Sequence, residues 1–135
     1  MSKKYIYLSG ASKHREDEGK AWTQAAEQLL LPVIEHLDFF VPQIHFDYTF
    51  RKPPTEKACL TLFTSKIKEC DIVLLNLNHT DKSVGSGYEI GYAKALGKVV
   101  IGFGNEEIYG WLSESCDYIG EDLEDAIQYI LIHYL

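Results

Sequence analysis

The chain has 135 residues, 46% of them hydrophobic and 24% charged, which is enough for one domain with a substantial core and too little for two. A formal net charge of −7 excludes the basic footprint that a nucleic-acid polymer requires, although local backbone dipoles can still hold a small anion. No apolar run reaches 18 residues, and Met1-Ser2-Lys3-Lys4 leads straight into a strand pattern, so no membrane partner and a reducing, cytoplasmic setting are expected.

Lys4 to Ser9 predicts a first strand that ends in Gly10, followed by a polar turn to about Arg15. A helical pattern runs from about Glu16 to Leu37, with Trp22, Ala25, Ala26, Leu29 and Leu30 on one face and Pro32 set to kink or end it. Phe39 to Ile44 predicts a second strand, with an irregular stretch over 45–54. Thr55 is the expected N-cap of a helix reaching Glu69. Asp71 to Leu77 is nearly all apolar, as a central parallel strand covered on both faces must be. A glycine-rich turn after it opens another helix, and Gly97-Lys98 turns that helix into a strand at Val99 to Phe103. A brief strand near Tyr118 and a helix from about Leu123 to Tyr134 complete the order. This alternation predicts a three-layer α/β/α fold, a doubly wound, Rossmann- or flavodoxin-like parallel sheet of four to five strands, as a single domain over 1–135.

The three cysteines, Cys59, Cys70 and Cys116, form no CxxC pair, and the five histidines show no i, i+3 or i, i+4 pairing. Neither a disulfide framework nor a metal site is expected, and no cofactor is required.

In doubly wound sheets, ligands bind along the rim formed by the carboxyl ends of the strands. Here that rim collects Gly10 to His14, His45 to Phe50, Asn76 to Ser83 and Gly104 to Tyr109. The stretch Ser83-Val84-Gly85-Ser86-Gly87-Tyr88-Glu89 falls at the same edge and offers backbone N–H groups to an anion or a sugar hydroxyl. Glu89, expected in the first helical turn, is either a charge that caps its own helix or a carboxylate aimed at a substrate.

Ile6-Tyr7-Leu8-Ser9-Gly10, Cys70-Asp71-Ile72-Val73, and Gly85-x-Gly87-Tyr88-Glu89-Ile90-Gly91-Tyr92-Ala93 followed by Gly97-Lys98 resemble the nucleoside 2-deoxyribosyltransferase family. That superfamily includes the 2′-deoxynucleoside 5′-phosphate N-hydrolases. The resemblance implies cleavage of the N-glycosidic bond of a (deoxy)nucleoside or its 5′-monophosphate through a covalent glutamyl-sugar intermediate, with transfer to another base or to water. It implies Glu89 as nucleophile and Tyr7 as the phenol that holds it. An oxocarbenium-like centre needs such a carboxylate opposite the leaving base, and helix N-terminal amides are expected to keep it ionised.

The same resemblance implies that Ser83, six residues before Glu89, suits a 5′-phosphate together with Gly85 and Gly87, where the transferases carry aspartate. A basic residue for that phosphate is expected at Lys13, with His14 or Arg15 beside it, next to Gly10. Asn76 and Asn78 are placed to meet sugar or base. Asp71, at the start of its strand, reads as structural.

The chain departs from the family at Phe63, eight residues before Asp71, where relatives carry an aspartate that helps the base leave. Three outcomes stay open: Asp47 or Asp81 substitutes from a rim loop, the leaving group needs no acid, or turnover has been lost. Phe63 itself packs a helix face or stacks on a base. Two other functions therefore stand beside the first, a catalytically impaired nucleotide-binding module and a glutamate-dependent glycohydrolase of NAD or a signalling nucleotide. A homodimer or higher homo-oligomer is implied, with Tyr109 to Ser115, through Ser113 or Ser115, completing a neighbour's pocket.

Overall fold

Helices pack on both faces of a parallel sheet, so its central strands have no polar side to show. β3 (Ile72–Asn76) meets this condition along its whole length, every residue being buried. In the computed structural model, residues 3–10, 20–42, 55–80, 83–104 and 110–135 are described. Within them β1 (Lys4–Gly10), β2 (Leu37–Phe40), β3, β4 (Val99–Phe103) and β5 (Tyr118–Gly120) form one sheet in the order β2-β1-β3-β4-β5. All four pairings are parallel. The expected doubly wound α/β architecture is therefore present, with the flavodoxin-like strand order.

Helices α1 (Lys20–Leu30) and α5 (Leu123–Tyr134) cover one face, where Ile6, Leu8, Ile72, Leu74, Ile101 and Phe103 meet Trp22, Ala26, Leu30 and Ile127. Helices α2 (Glu56–Glu69) and α3 (Val84–Ala95) cover the other, over Tyr7, Val73, Leu75 and Val100. Strand alternation explains the division, since successive side chains of β1 and β3 point to opposite layers.

The first helix is shorter than its apolar pattern predicts. It ends at Leu30, and Pro32 sits in a 3-10 turn at Leu31–Val33, because proline has no N–H for the helical ladder. β2 consequently starts at Leu37, two residues before the predicted Phe39. On α1, Trp22, Thr23, Ala26 and Leu30 are buried while Ala25 faces solvent, a correction to the expected apolar face. A short helix, α4 (Trp111–Glu114), was absent from the sequence reading, which has too few residues there to show a period.

Local chemistry sets the other boundaries. Thr55, Ser83 and Asp122 cap α2, α3 and α5 by accepting backbone N–H groups from Ala58, Ser86 and Asp125. At the far end of α3, Gly97 adopts φ +75°, and Gly97 N and Lys98 N donate to Lys94 O and Ala93 O. This pair of bonds closes the helix and turns the chain into β4.

Candidate active site

β1 neighbours both β2 and β3, so the chain reverses its direction of winding between β1 and β3. Ligands of open α/β sheets bind in the crevice outside such a reversal. Gly10 pairs with Asn76 at this rim. A Cβ on Gly10 would stand 3.2 Å from Asn76 Cβ and 3.3 Å from Trp22 Cζ2, so the close approach of the two strand ends there favours glycine.

Tyr7 and Ser9 are two residues apart on β1 and share its α2–α3 side. Tyr7 is fully buried, with its ring stacked at 5.5 Å on Phe40. Its phenol donates to Glu89 Oε2, and the Ser9 hydroxyl donates to Glu89 Oε1 at 3.4 Å. Both carboxylate oxygens of one α3 residue are thus held from one strand.

Burial pushes the Glu89 carboxyl up to about 7, because desolvation outweighs the two hydroxyl donors that favour its charged form. The residue as a whole keeps partial solvent access even though its carboxyl group is enclosed by protein. The Tyr7 phenol is also pushed up, first by burial and then by the adjacent Glu89, so it remains a donor at neutral pH.

Two expectations need correction here. Glu89 lies in the second turn of α3, since the helix already begins at Val84, and its carboxyl is raised rather than kept low by helix amides. Gly85 and Gly87 belong to the first helical turn instead of a loop, and the Gly87 N–H is engaged with Ser83 O at 3.4 Å. Both glycines are exposed, with open space where a Cβ would stand.

Ser83 uses its hydroxyl as the α3 cap, accepting from Ser86 N at 3.2 Å and lying 3.0 Å from Ser86 Oγ. Asn76 is buried, and its Oδ1 accepts from Asn78 N at 3.0 Å, which shapes the turn after β3. Lys13, His14, Arg15, Asp47, Asp81 and Tyr109 lie outside the described residues.

Phe63 packs its ring edge against Phe40, 6.0 Å between centroids, and joins the apolar cluster around Tyr7. Asp71 accepts from Tyr5 N at 2.9 Å, at the end of the sheet opposite the rim. Ser113 and Ser115 bond to the carbonyls of Gly110 and Trp111 within their own turn. Among the described residues, no three His, Cys, Asp or Glu side chains are grouped to hold a metal, and no helix is long and apolar enough to cross a membrane.

Ser9 carried no site role in the sequence reading. Its signal was there to read: a polar residue two positions beyond Tyr7 in an otherwise apolar strand must find a partner when buried.

Among curated proteins no sequence match reaches significance. Among solved structures, a 2-desoxiribosyltransferase from Leishmania mexicana is similar at 22% identity and TM-score 0.75, over 98% of this chain and 99% of that one. A 2-deoxyribosyltransferase from Bacillus psychrosaccharolyticus is 24% identical with TM-score 0.69, over 90% and 88%. A CMP N-glycosidase from Clostridium botulinum is 21% identical with TM-score 0.61, over 94% and 98%. At these identities the likeness is one of fold. The family model of nucleoside 2-deoxyribosyltransferases matches residues 6–121, which take in Tyr7, Ser9, Ser83 and Glu89, and the chain belongs to that family.

Proposed function

We propose that this protein cleaves the N-glycosidic bond of a (deoxy)nucleoside or its 5′-monophosphate through a covalent sugar ester on Glu89. The observation that carries this reading is the Tyr7–Glu89 contact at the β1/β3 reversal, within a family of nucleoside deoxyribosyltransferases. A Glu89 oxygen bonds to C1′ as the C1′–N bond breaks, and that electron pair leaves on the base nitrogen. Water or a second base then attacks C1′, returns the electron pair to the carboxylate and gives up its proton to the group that protonated the first base. Tyr7 keeps its proton throughout and steadies the oxygen it holds.

The 5′ end of the substrate is assigned to the start of α3, with Ser83, the Gly85 amide and the open space beside Gly87, together with Gly10 at the end of β1 and Lys13, three residues further along the chain. Asn76, at the end of β3, is assigned to the sugar or base. A 5′-phosphate suits this arrangement because the helix start is the positive end of its dipole and Ser83 adds no negative charge. Asp47, which follows β2 in the chain, is the proposed proton source for the departing base. A homodimer or higher homo-oligomer is part of the same reading, with Val84 and Trp111, each 91% exposed, as the apolar side chains a second copy would cover.

Intact-protein mass spectrometry with 2-fluoro-2-deoxy nucleosides and their 5′-monophosphates tests the proposal. An adduct that disappears in Glu89→Ala is expected, and its absence sinks the covalent mechanism. The position of Phe63 favours one variant of the reading, in which the leaving group needs no acid, as with a nicotinamide. Incubation with NAD, followed by chromatography for nicotinamide, separates the two.

A further inference from the structure

We infer that Ser9 is a second positioning residue for Glu89, its hydroxyl sharing with the Tyr7 phenol the task of fixing the carboxylate plane and supporting the ionised form. The inference deepens the proposed function, since it takes Glu89 as the nucleophile.

The last torsion of a glutamate is broad and roughly twofold, so one donor leaves the carboxylate able to turn about its own axis. Tyr7 alone would leave that freedom. Ser9 removes it, because it reaches the other oxygen from the same strand, one full pleat nearer the rim. Ser9 is 1% exposed, and a buried hydroxyl needs an acceptor; among the described residues the one it meets is Glu89 Oε1. At 3.4 Å this bond is long for two oxygens, so the hold on Oε1 is looser than the hold on Oε2. The attacking carboxylate is thereby aimed by a firm contact on one oxygen and a yielding contact on the other.

The surroundings single out these two hydroxyls. β3 and β4 face the pair with Val73, Leu75 and Val100, and α2 contributes Ile67 and Phe63, none of which is charged. On α3 itself Ser86, Ile90 and Ala93 are buried, and the Ser86 hydroxyl lies 3.0 Å from Ser83 Oγ in the cap of the helix. Cys70 and Tyr5 act electrostatically on Tyr7, and Lys66 lies over the Phe40 ring at 5.8 Å. Among the described residues only Tyr7 and Ser9 lower the Glu89 carboxyl against its burial.

The test is the pH titration of the Glu89 side-chain carboxyl carbon by NMR in the ligand-free protein, assigned with Glu89→Gln. Ser9→Ala deletes one buried oxygen and adds nothing to the core. The expected result is an upward shift of the midpoint by about half a pH unit, the scale of one lost hydrogen bond to a charged group held at long range. A midpoint within about 0.1 unit of the parent protein, or below it, overturns the inference, a 0.1-unit limit well under the effect of even a weak hydrogen bond. The fluorinated-sugar adduct separates this from the proposed function. An unshifted midpoint with the adduct intact sinks Ser9 alone, whereas a shifted midpoint without an adduct sinks the covalent mechanism alone.

Discussion

Tyr7 on β1 and Glu89 on α3, 82 positions apart in the chain, are joined by a hydrogen bond from the phenol to Oε2. The bond exists because β3 lies beside β1 and α3 follows β3 onto the face that Tyr7 points to. It ties a strand residue with no solvent access to a helix residue with some, at the reversal of the sheet.

Glu89→Gln removes the nucleophile while keeping its size. Base release should fall at least about 1,000-fold, read by chromatography of released base under single-turnover conditions. The same variant has a stability signature. The folded-state carboxyl, raised to about 7 from its ordinary 4.5, contributes stability fully below pH 4.5 and loses it as pH rises through 7. The neutral amide escapes that loss, so Glu89→Gln should match the parent near pH 4 and exceed it at pH 8. The gain should be roughly 2 kcal/mol by denaturant titration, below the full linkage value because the residue keeps some solvent access.

Activity should run the opposite way with pH. The nucleophile must be ionised, so kcat/KM should climb through an acid limb centred near 7, where burial places the carboxyl. A limb centred near 4.5, at an ordinary carboxyl, would contradict the enclosure of Glu89.

Tyr7→Phe preserves the stack on Phe40 and deletes the phenol oxygen. The protein should fold normally, kcat should fall about 10- to 100-fold, and KM should change little, since a misaimed carboxylate affects the chemical step. Steady-state kinetics at pH 8 makes the comparison.

Ser83 has two roles that substitution can pull apart. Ser83→Ala loses the α3 cap and should cost about 1 kcal/mol of stability. Ser83→Asp keeps a good capping group but brings a negative charge to the helix start, so stability should hold while 5′-monophosphate turnover drops relative to free nucleoside. Equal losses on both substrates would place the 5′ end elsewhere.

Gly120 ends β5 against the start of α5. A Cβ there would meet Ala126 N at 2.8 Å and Asp122 O at 3.1 Å, both backbone atoms that cannot swing aside. Gly120→Ala should therefore destabilise the protein by about 1–3 kcal/mol in thermal or denaturant unfolding, with little effect on kcat.

The sequence was most legible where periodicity and punctuation agreed. Val99 to Phe103 and Leu123 to Tyr134 match their strand and helix, and Thr55 caps α2 as its position predicts. It was less legible where two signals competed. Residues beyond Leu30 kept an apolar helical rhythm, yet Pro32 could not continue the ladder, and the missing N–H decided the boundary. At Ser83 to Gly87 the glycines suggested a loop, but a serine cap was enough to start α3 ahead of them.

What the chain determined by itself is the parallel α/β fold and the rim where chemistry belongs, because these follow from local spacing and from the burial of apolar runs, while the pairing of Tyr7 with Glu89 was implied by the family resemblance alone. Only the tertiary structure decided the ionisation of Glu89 and the part played by Ser9. Both depend on what surrounds the carboxylate once β1 and α3 are packed together: water is excluded and two hydroxyls face its oxygens. Desolvation is a property of the enclosure, and no spacing along a sequence encodes it.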